Sequence, residues 1–298
     1  MILKFYFGFL LFFVGISPGF SDFQDQKAQS LAITPQKALL WKIHAKHKNP
    51  SYLFGTIHLE DERVVRLPPP VDEIFTKAQT FVMEVVMDFR ALNAITDAMY
   101  YQNGQTLAAT VGSTLYSRSA QVLKEYGMAP TITNSLKPWA VVMILSAPKA
   151  ETGDFLDKVL YENALRQNKK VSGLETIAEQ LSVMEGLSSG DQKLLLADTL
   201  VMSGQLPKII EELIQVYLSR DLTALMHLNK IYGVTDKALE ARMMQRMLYD
   251  RNHRMVKRMQ AHLETGHAFI AVGALHLPGE QGIIQLLKNK SYAVTPIY

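Results

Sequence analysis

The chain has 298 residues and no cysteine. Without cysteine it forms no disulfide, has no catalytic thiol and carries no cysteine-linked lipid, so disulfide scaffolds, thiol enzymes and lipoproteins are excluded. Its stability must come from a hydrophobic core, and a chain with 48% hydrophobic residues can build one of ordinary size.

Long apolar runs and blocks of like charge are scarce as well. After the N-terminal segment, no stretch is long and apolar enough to span a bilayer. The 31 basic and 28 acidic residues are interspersed, unlike the basic patches of nucleic-acid-binding proteins. We therefore expect no nucleic-acid partner and, once the N-terminal segment is removed, no transmembrane segment.

That N-terminal segment has the pattern of an export signal. Lys4 precedes an apolar run over residues 5–16, and small and helix-breaking residues follow the run. The run is shorter than the ~20 residues of a spanning helix. It predicts a cleavable signal peptide over residues 1–21 and a periplasmic or secreted protein, with an uncleaved anchor as the alternative. The polar residues 22–36 predict a flexible lead-in to one domain over residues 37–298.

Several common catalytic motifs are absent. The sequence has no His-Glu-x-x-His zinc helix, no phosphate-binding Walker A loop and no Gly-x-Gly-x-x-Gly dinucleotide motif. Gly186-Leu-Ser-Ser-Gly190 has the spacing of a nucleophile elbow, but helical sequence precedes it where that motif needs a strand. We interpret it as a loop between helices.

Two short phrases at opposite ends of the chain share one pattern. Residues 51–58 and 268–276 are apolar runs with strand character, and each is broken by a glycine three residues before a histidine. The glycines are Gly55 and Gly273, and the histidines are His58 and His276. Glycine at a strand end lets the backbone turn sharply, and open α/β sheets place their sites at strand ends. Both histidines are therefore candidate site residues.

Strand signals concentrate at the two ends of the chain, with helical periodicity between them. The predicted strands cover residues 39–44, 52–55, 80–86, 170–175, 268–272 and 292–297. We expect the first and last strands to pair. The predicted fold class is α/β: a single domain with a mixed β-sheet formed by N- and C-terminal strands and a long helical insertion.

Two glutamates stand in or beside predicted strands. Glu84 lies inside an apolar run, and burying a lone carboxylate is costly unless it is paired or bound to a cation. Glu175 precedes Thr176-Ile-Ala-Glu179, whose spacing is that of a helix capping box. The alternatives are a Glu84 that faces water from a strand edge and a surface Glu175 that pairs with the helix dipole.

Arg251 and Asn252 lie on a helical stretch with one apolar stripe. Arg251 falls within that stripe, and a guanidinium on a core-facing side needs an anionic partner. The alternative is an arginine whose stem covers apolar surface while its head reaches water. Two histidines, two carboxylates and an arginine together suit a divalent metal with nitrogen and oxygen ligands.

These residues resemble the TraB/GumN (TIKI-like) family, whose members include metal-dependent peptidases. The resemblance runs over nearly the whole chain after the predicted signal. It is carried by Leu53-Phe-Gly-Thr-Ile-His58-Leu-x-Asp61-x-Arg63, Glu84, Lys137-Pro-Trp139, Gly173-Leu-Glu175-Thr, Gln180, Arg251-Asn252 and Val272-Gly-Ala-Leu-His276-Leu-Pro-Gly279. It implies a TIKI/erythromycin-esterase-like fold.

The resemblance also implies roles for the candidate residues. His58 and His276, with Glu84, would be ligands of a divalent metal such as Mn, Co or Zn. Glu84 or Glu175 would be the general base. Arg251 and Asn252 match the Arg-Asn pair of the family, and Arg251 would bind a substrate carboxylate or a developing oxyanion. The favoured reaction is hydrolysis of a peptide bond.

The sequence departs from the family at two positions. Val86 stands where the family often carries a second acid, which leaves the number of ligands open. Asp157 matches a family Gly-x-Asp, but Phe155 replaces its glycine. The alternative to a hydrolase of peptides or small molecules is a non-catalytic module that sequesters a peptide, or an accessory protein of exopolysaccharide production.

Overall fold

The first and last strands of the chain meet in one β-sheet, as predicted. This computed structural model describes residues 37–44, 46–149 and 152–298; the predicted signal peptide (1–21) and lead-in (22–36) lie outside the described residues. The strands are β1 (Leu40–His44), β2 (Ser51–Thr56), β3 (Thr80–Met83), β4 (Lys170–Gly173), β5 (Ala268–Gly273) and β6 (Ala293–Pro296).

The sheet is mixed, with the order β4-β3-β5-β2-β1-β6. The four strands from β4 to β2 run parallel to one another, whereas β1 is antiparallel to both β2 and β6. All six residues of β5 are buried. A strand buried on both faces reads as a continuous apolar run, which is why its sequence shows no alternation.

Helices surround this sheet and form the long insertion between β3 and β5. They are α1 (Glu62–Val65), α2 (Pro69–Lys77), α3 (Phe89–Met99), α4 (Leu107–Val111), α5 (Ser113–Lys124), α6 (Pro130–Ser135), α7 (Pro138–Leu145), α8 (Leu156–Arg166), α9 (Ile177–Glu185), α10 (Ser189–Met202), α11 (Leu206–Leu218), α12 (Leu222–Ile231), α13 (Lys237–Met244), α14 (Asp250–Thr265) and α15 (Ile283–Asn289). None of these described helices has both the length and the apolar character to cross a membrane.

Local sequence explains several helix boundaries. Proline in the first turn begins α2, α6 and α7, where its missing N–H costs nothing. The predicted capping box is present at α9, because the Thr176 side chain accepts from the Glu179 backbone and Glu179 in turn accepts from the Thr176 backbone. Gly186–Gly190 spans the end of α9 and the start of α10, with no strand before it, as predicted.

The apolar residues form two clusters. One packs both faces of the sheet with side chains from α2, α8, α11, α12, α14 and α15. The other lies within the insertion and joins α3 to α7 with α9, α10 and α13. The insertion therefore has a hydrophobic core of its own and packs beside the edge of the sheet where the parallel strands end.

Neither glycine of the two Gly-x-x-His phrases makes a sharp turn, and Gly55 serves close packing instead. Gly55 lies inside β2, and Gly273 ends β5 with an ordinary φ of −53°. A Cβ on Gly55 would come within 2.8 Å of the Leu277 side chain and 3.1 Å of the Ala274 Cα. The turn that carries His276 therefore packs directly on β2, and only a residue without a side chain leaves room for it.

We predict that Gly55→Ala destabilises the protein. The added methyl group meets the Ala274 backbone, so the free energy of unfolding should fall by about 1–3 kcal/mol in urea titrations. Gly204→Ala is the control, because a Cβ there meets nothing within 4 Å. It should stay within about 0.5 kcal/mol of the parent. Equal effects of the two substitutions would contradict this packing argument.

Candidate active site

The four parallel strands end at one edge of the sheet, and each is followed within three residues by a predicted site residue. Glu84 follows β3, Glu175 follows β4, His58 follows β2 and His276 follows β5. Because the spatial order of these strands is β4-β3-β5-β2, the four residues stand in the order Glu175, Glu84, His276, His58 along that edge. We call these four residues the sheet-edge row. Open α/β sheets bind ligands outside the carboxyl ends of their strands.

The strand before Glu84 is shorter than predicted. The sequence placed Glu84 inside a strand over residues 80–86, but β3 ends at Met83. The apolar run continues because Val85 and Val86 lie on a partly buried segment beyond the strand rather than in it. Glu84 is buried, so it does not face water from a strand edge.

Arg251 lies between the two glutamates and is fully buried. Its Nη2 donates to Glu84 Oε2 at 2.5 Å, and its Nε donates to Glu175 Oε2 at 2.9 Å. Charge-assisted hydrogen bonds of this kind are the strong ones, and guanidinium geometry suits two carboxylates. The alternative of an arginine head in water does not apply, since the guanidinium has no exposed surface.

A π-helical turn at Gln245–Tyr249 directly precedes α14. Such turns shift the helical register and free carbonyl groups, and they occur often at functional sites. Here Arg251 Nη1 donates to the Met247 carbonyl at 3.3 Å. Arg251 and the adjacent Asn252 are both buried at the start of α14 and both contact the sheet-edge row.

Asn252 fixes the protonation pattern of His276. Its Nδ2 donates to the Gln281 carbonyl at 2.8 Å, so its Oδ1 is the atom that faces His276 Nδ1 at 2.6 Å. An amide oxygen only accepts, so His276 Nδ1 must carry the proton. The Nε2 of the neutral ring then has a free lone pair, and it makes no hydrogen bond with any described residue.

Burial lowers the pKa of His276 to about 3, against the opposing attraction of Glu84, and the charges of Arg251 and His58 lower it further. The ring is therefore neutral near pH 7. Its Nε2 lies 3.6 Å from Glu84 Oε1, too far for a hydrogen bond. A lone pair and a carboxylate oxygen thus face each other in a buried place.

Glu84 stays ionised in this setting. Burial alone would raise its pKa, but Arg251, the two histidines and the Gly273 backbone amide, which donates to Oε1 at 2.7 Å, hold it at about 2. The Gln180 side chain contributes a longer hydrogen bond of 3.4 Å to Oε2. Glu84 is therefore a fixed negative charge beside His276.

Glu175, like Glu84, accepts hydrogen bonds from three residues. Its carboxylate accepts from Arg251, from Arg254 Nε at 3.1 Å and from Gln180 Nε2 at 3.3 Å. Its side chain has no exposed surface, so it is not a surface partner of the α9 dipole. The Glu175 carboxylate anchors Arg251 together with Glu84, since Arg251 Nη2 also lies 2.8 Å from Glu175 Oε2.

Asp157 is a buried residue of this site that the predicted set did not include. Its Oδ1 accepts from the Thr56 hydroxyl at 2.8 Å, and its Oδ2 lies 2.8 Å from His58 Nδ1. The second contact is an ion-pair distance without the alignment of a hydrogen bond. Burial opposes a charge on His58, yet the attraction of Asp157, with a smaller one from Glu84, outweighs burial and raises the pKa of that imidazole. Phe155 packs edge-on against the His58 ring.

The arrangement can be tested for its fit to a metal ion. Two tetrahedral ligands at ~2.0–2.1 Å from zinc stand about 3.4 Å apart, close to the 3.6 Å between His276 Nε2 and Glu84 Oε1. Both atoms are electron-rich, so a cation between them would relieve their mutual repulsion. Within the described ranges, however, no three or more His, Asp or Glu side chains form a group that could hold a metal. The donor chemistry fits, with two ligand atoms already opposed.

We predict a pH dependence of stability that is due to His276. With chelator present, unfolded His276 gains its proton near pH 6.5 and folded His276 only near pH 3. Stability is therefore lost as pH falls below 6.5, by about 1.4 kcal/mol per pH unit. His58 acts in the opposite window, since its raised pKa adds stability that is lost above pH 6.5.

Urea titrations between pH 6.5 and 5.5 measure this slope while Glu84, whose ordinary pKa is 4.5, is still mostly ionised in the unfolded chain. His262, whose pKa burial also lowers, adds its own slope equally to every variant. His276→Gln should flatten the slope, while His227→Gln, at an exposed position, should keep it. A His276→Gln variant with the parental slope would contradict the assignment.

We also predict that Asp157 controls the charge of His58. In Asp157→Asn the burial of His58 is opposed only by the smaller attraction of Glu84, so the pKa of His58 should fall below its parental value in NMR titrations. Asp157→Ala additionally removes the acceptor for Thr56 and should lower stability by about 1–3 kcal/mol. Asp154→Asn, at an exposed neighbour, is the control. A raised His58 pKa in Asp157→Asn would refute this role.

Comparison with known proteins places these residues in a family. Metalloprotease TIKI1 of Danio rerio is 26% identical over 317 aligned positions, covering 88% of this chain and 64% of that protein. TIKI1 of Homo sapiens is 25% identical, with 86% and 61% covered. The uncharacterized protein YbaP of Shigella flexneri is 22% identical, with 80% and 88% covered. No solved structure gives a significant match.

The chain spans about three fifths of the length of these TIKI proteins and most of YbaP. The model of the TraB/PrgY/gumN family matches residues 39–296, which include every strand, the helical insertion and the sheet-edge row. The family resemblance expected from the sequence is thereby confirmed, and this chain belongs to the TraB/PrgY/gumN family.

Proposed function

We propose that this protein is an exported metal-dependent hydrolase that cleaves peptides. The observation that carries the proposal is the buried pair of His276 Nε2 and Glu84 Oε1, opposed at 3.6 Å at the carboxyl edge of the sheet. The metalloprotease name of the TIKI relatives supports the same reaction class. Export rests on the sequence of residues 1–21 and stays a prediction.

His58, His276 and Glu84 are the residues that would hold the ion. Mixed nitrogen and oxygen donors suit Mn, Co or Zn alike. Such an ion would act as a Lewis acid that polarises a substrate carbonyl. Asn252 and Asp157 would orient these ligands. Asn252 fixes the tautomer of His276, and Asp157 Oδ2 lies beside Nδ1 of His58.

The two glutamates receive different roles in this proposal. Glu84 is ionised at any physiological pH and has one oxygen facing His276, as a ligand requires. A general base works best when its pKa is near the operating pH. The pKa of Glu84, about 2, is far below that range, so Glu84 is poorly suited to act as the base. Glu175 accepts from two arginines and a glutamine and holds Arg251 in place.

Arg251 is a positioning residue in this proposal. The sequence suggested contact with a substrate carboxylate or oxyanion, but a guanidinium with no exposed surface, bonded to Glu84 and Glu175, acts through Glu84 instead. Its charge keeps Glu84 ionised and fixes which carboxylate oxygen faces His276.

We predict that Glu84→Gln lowers metal occupancy and peptide turnover together. The neutral amide keeps the size of the side chain but lacks the negative charge with which a carboxylate binds a cation. Metal content and turnover should be measured on the same sample, with Glu125→Gln at an exposed position as the control. If Glu84 were a general base instead, occupancy would stay while turnover fell by roughly 10²–10⁴-fold.

The sequestering alternative is tested in the same assay. A metal-loaded parent protein that cleaves no member of a diverse peptide library, yet binds one tightly, would contradict the hydrolase proposal. Turnover that survives complete removal of the metal would contradict the metal assignment and leave hydrolysis to other groups.

A further inference from the structure

A cleft adjoins the sheet-edge row on the side of Glu175. It has a volume of about 410 Å³ and opens where β3 and β4 end, between α3 and the start of α9. Its apolar wall is formed by Val86, Ala91, Ala94 and Ile177. The floor includes Gly173, where an added Cβ would lie 3.3 Å from the Val86 amide nitrogen.

The acidic groups next to this cleft are already engaged. The Glu175 carboxylate is buried on Arg251 and Arg254, and the Glu179 carboxylate accepts two hydrogen bonds from Arg258. The Thr176 hydroxyl accepts from the Glu179 backbone at the first turn of α9. The polar groups at this end of the cleft therefore have partners and leave little negative charge for a ligand to meet.

Arg90 supplies positive charge at the rim. It lines the cleft from the first turn of α3 and is exposed. No carboxylate of a described residue lies within ion-pair distance of it; the nearby Asp88 accepts from the Ala91 amide and caps the helix. Val86, which also lines the cleft, carries no charge that could balance Arg90.

The outer face of α3 extends the apolar surface beyond the cleft. Phe89 is 77% exposed and Leu92 is 45% exposed, three positions apart and therefore on one side of the helix. Adjacent apolar side chains left in water beside a cleft mark a contact surface more often than isolated ones do. Arg90 lies next to them in sequence but lines the cleft, which Phe89 and Leu92 do not.

We propose that this cleft is the substrate subsite for a peptide segment in which an apolar side chain stands next to a carboxylate. The proposal rests on the peptidase function and names its substrate class. The apolar side chain packs against Val86, Ala94 and Ile177, and the carboxylate pairs with Arg90. The carboxylate belongs either to an Asp or Glu side chain or to the C-terminus of the peptide.

Binding of four labelled peptides to chelator-treated protein tests the subsite without turnover. Two internal peptides contain Leu-Asp or Leu-Asn, and two others end in leucine with a free or an amidated C-terminus. We expect each carboxylate form that uses the subsite to bind about 3- to 10-fold more tightly than its neutral analogue. The pair that shows the preference identifies the source of the carboxylate.

Two variants and one control connect this preference to the cleft. Arg90→Gln should abolish the preference while changing the affinity of the neutral analogues little. Ala94→Phe should weaken carboxylate and neutral forms alike, because it fills the apolar wall. Arg118→Gln is the control: it removes an exposed arginine of α5 that does not line the cleft, and it should behave as the parent.

The outcomes separate this proposal from the hydrolase proposal. A parent protein without a carboxylate preference, or an Arg90→Gln variant that retains it, overturns the subsite even if peptides are cleaved. Failure of all four peptides to bind overturns it as well. If the parent protein prefers the carboxylate peptides and Arg90→Gln removes that preference, the subsite is supported. If the protein shows this behaviour but cleaves no peptide, only the hydrolase proposal is overturned.

Discussion

The site depends on one buried guanidinium held between two carboxylates. Taking Arg251, Glu84 and Glu175 out of water is costly, and the cost is offset only while all three remain together. Loss of one partner would leave an unpaired buried charge, typically worth about 3–5 kcal/mol. The three residues come from β3, β4 and α14, so their pairing also fixes how the late helix docks on the sheet.

The charge balance of this group leads directly to the chemistry proposed for it. Arg251 neutralises one of two carboxylates and Arg254, which is partly exposed, offsets some of the other. Glu84 Oε1 is left with a backbone amide and the lone-pair side of His276. Since His276 is neutral near pH 7, it does not supply the missing positive charge. A cation bound there would.

Much of this edge could be predicted from sequence because each parallel strand is a local signal. The run before His276 is continuous and apolar, and all six residues of β5 are buried. Thr176-Ile-Ala-Glu179 marked the start of α9, which placed Glu175 at a strand end. The order of strands in a sheet depends on contacts between distant segments. The order of Glu175, Glu84, His276 and His58 along the edge therefore could not be predicted from the sequence.

Other features escaped prediction for physical reasons. Asp157 lies in the first turn of α8, a position where an acidic residue is common on exposed helices because it favours the helix dipole. Only the folded chain brings Thr56 and His58 to it, 101 and 99 positions away in sequence. The end of β3 was misplaced because valines suit both a strand and a buried segment beyond one.

The two ends of the sheet-edge row differ in the residues that stabilise their charges, so the two ends offer different surroundings to a ligand. Toward Glu175 the carboxylates are bonded to arginines of α14, and the cleft beside them is apolar with Arg90 at its rim. Toward His58 the support comes from Asp157, and Phe155 packs on the ring. A ligand with an apolar group and an anionic group is complementary to the Glu175 end and not to the His58 end. Glu84 and His276 lie between the two ends in strand order, so the pair proposed to hold the metal stands where the two kinds of support meet.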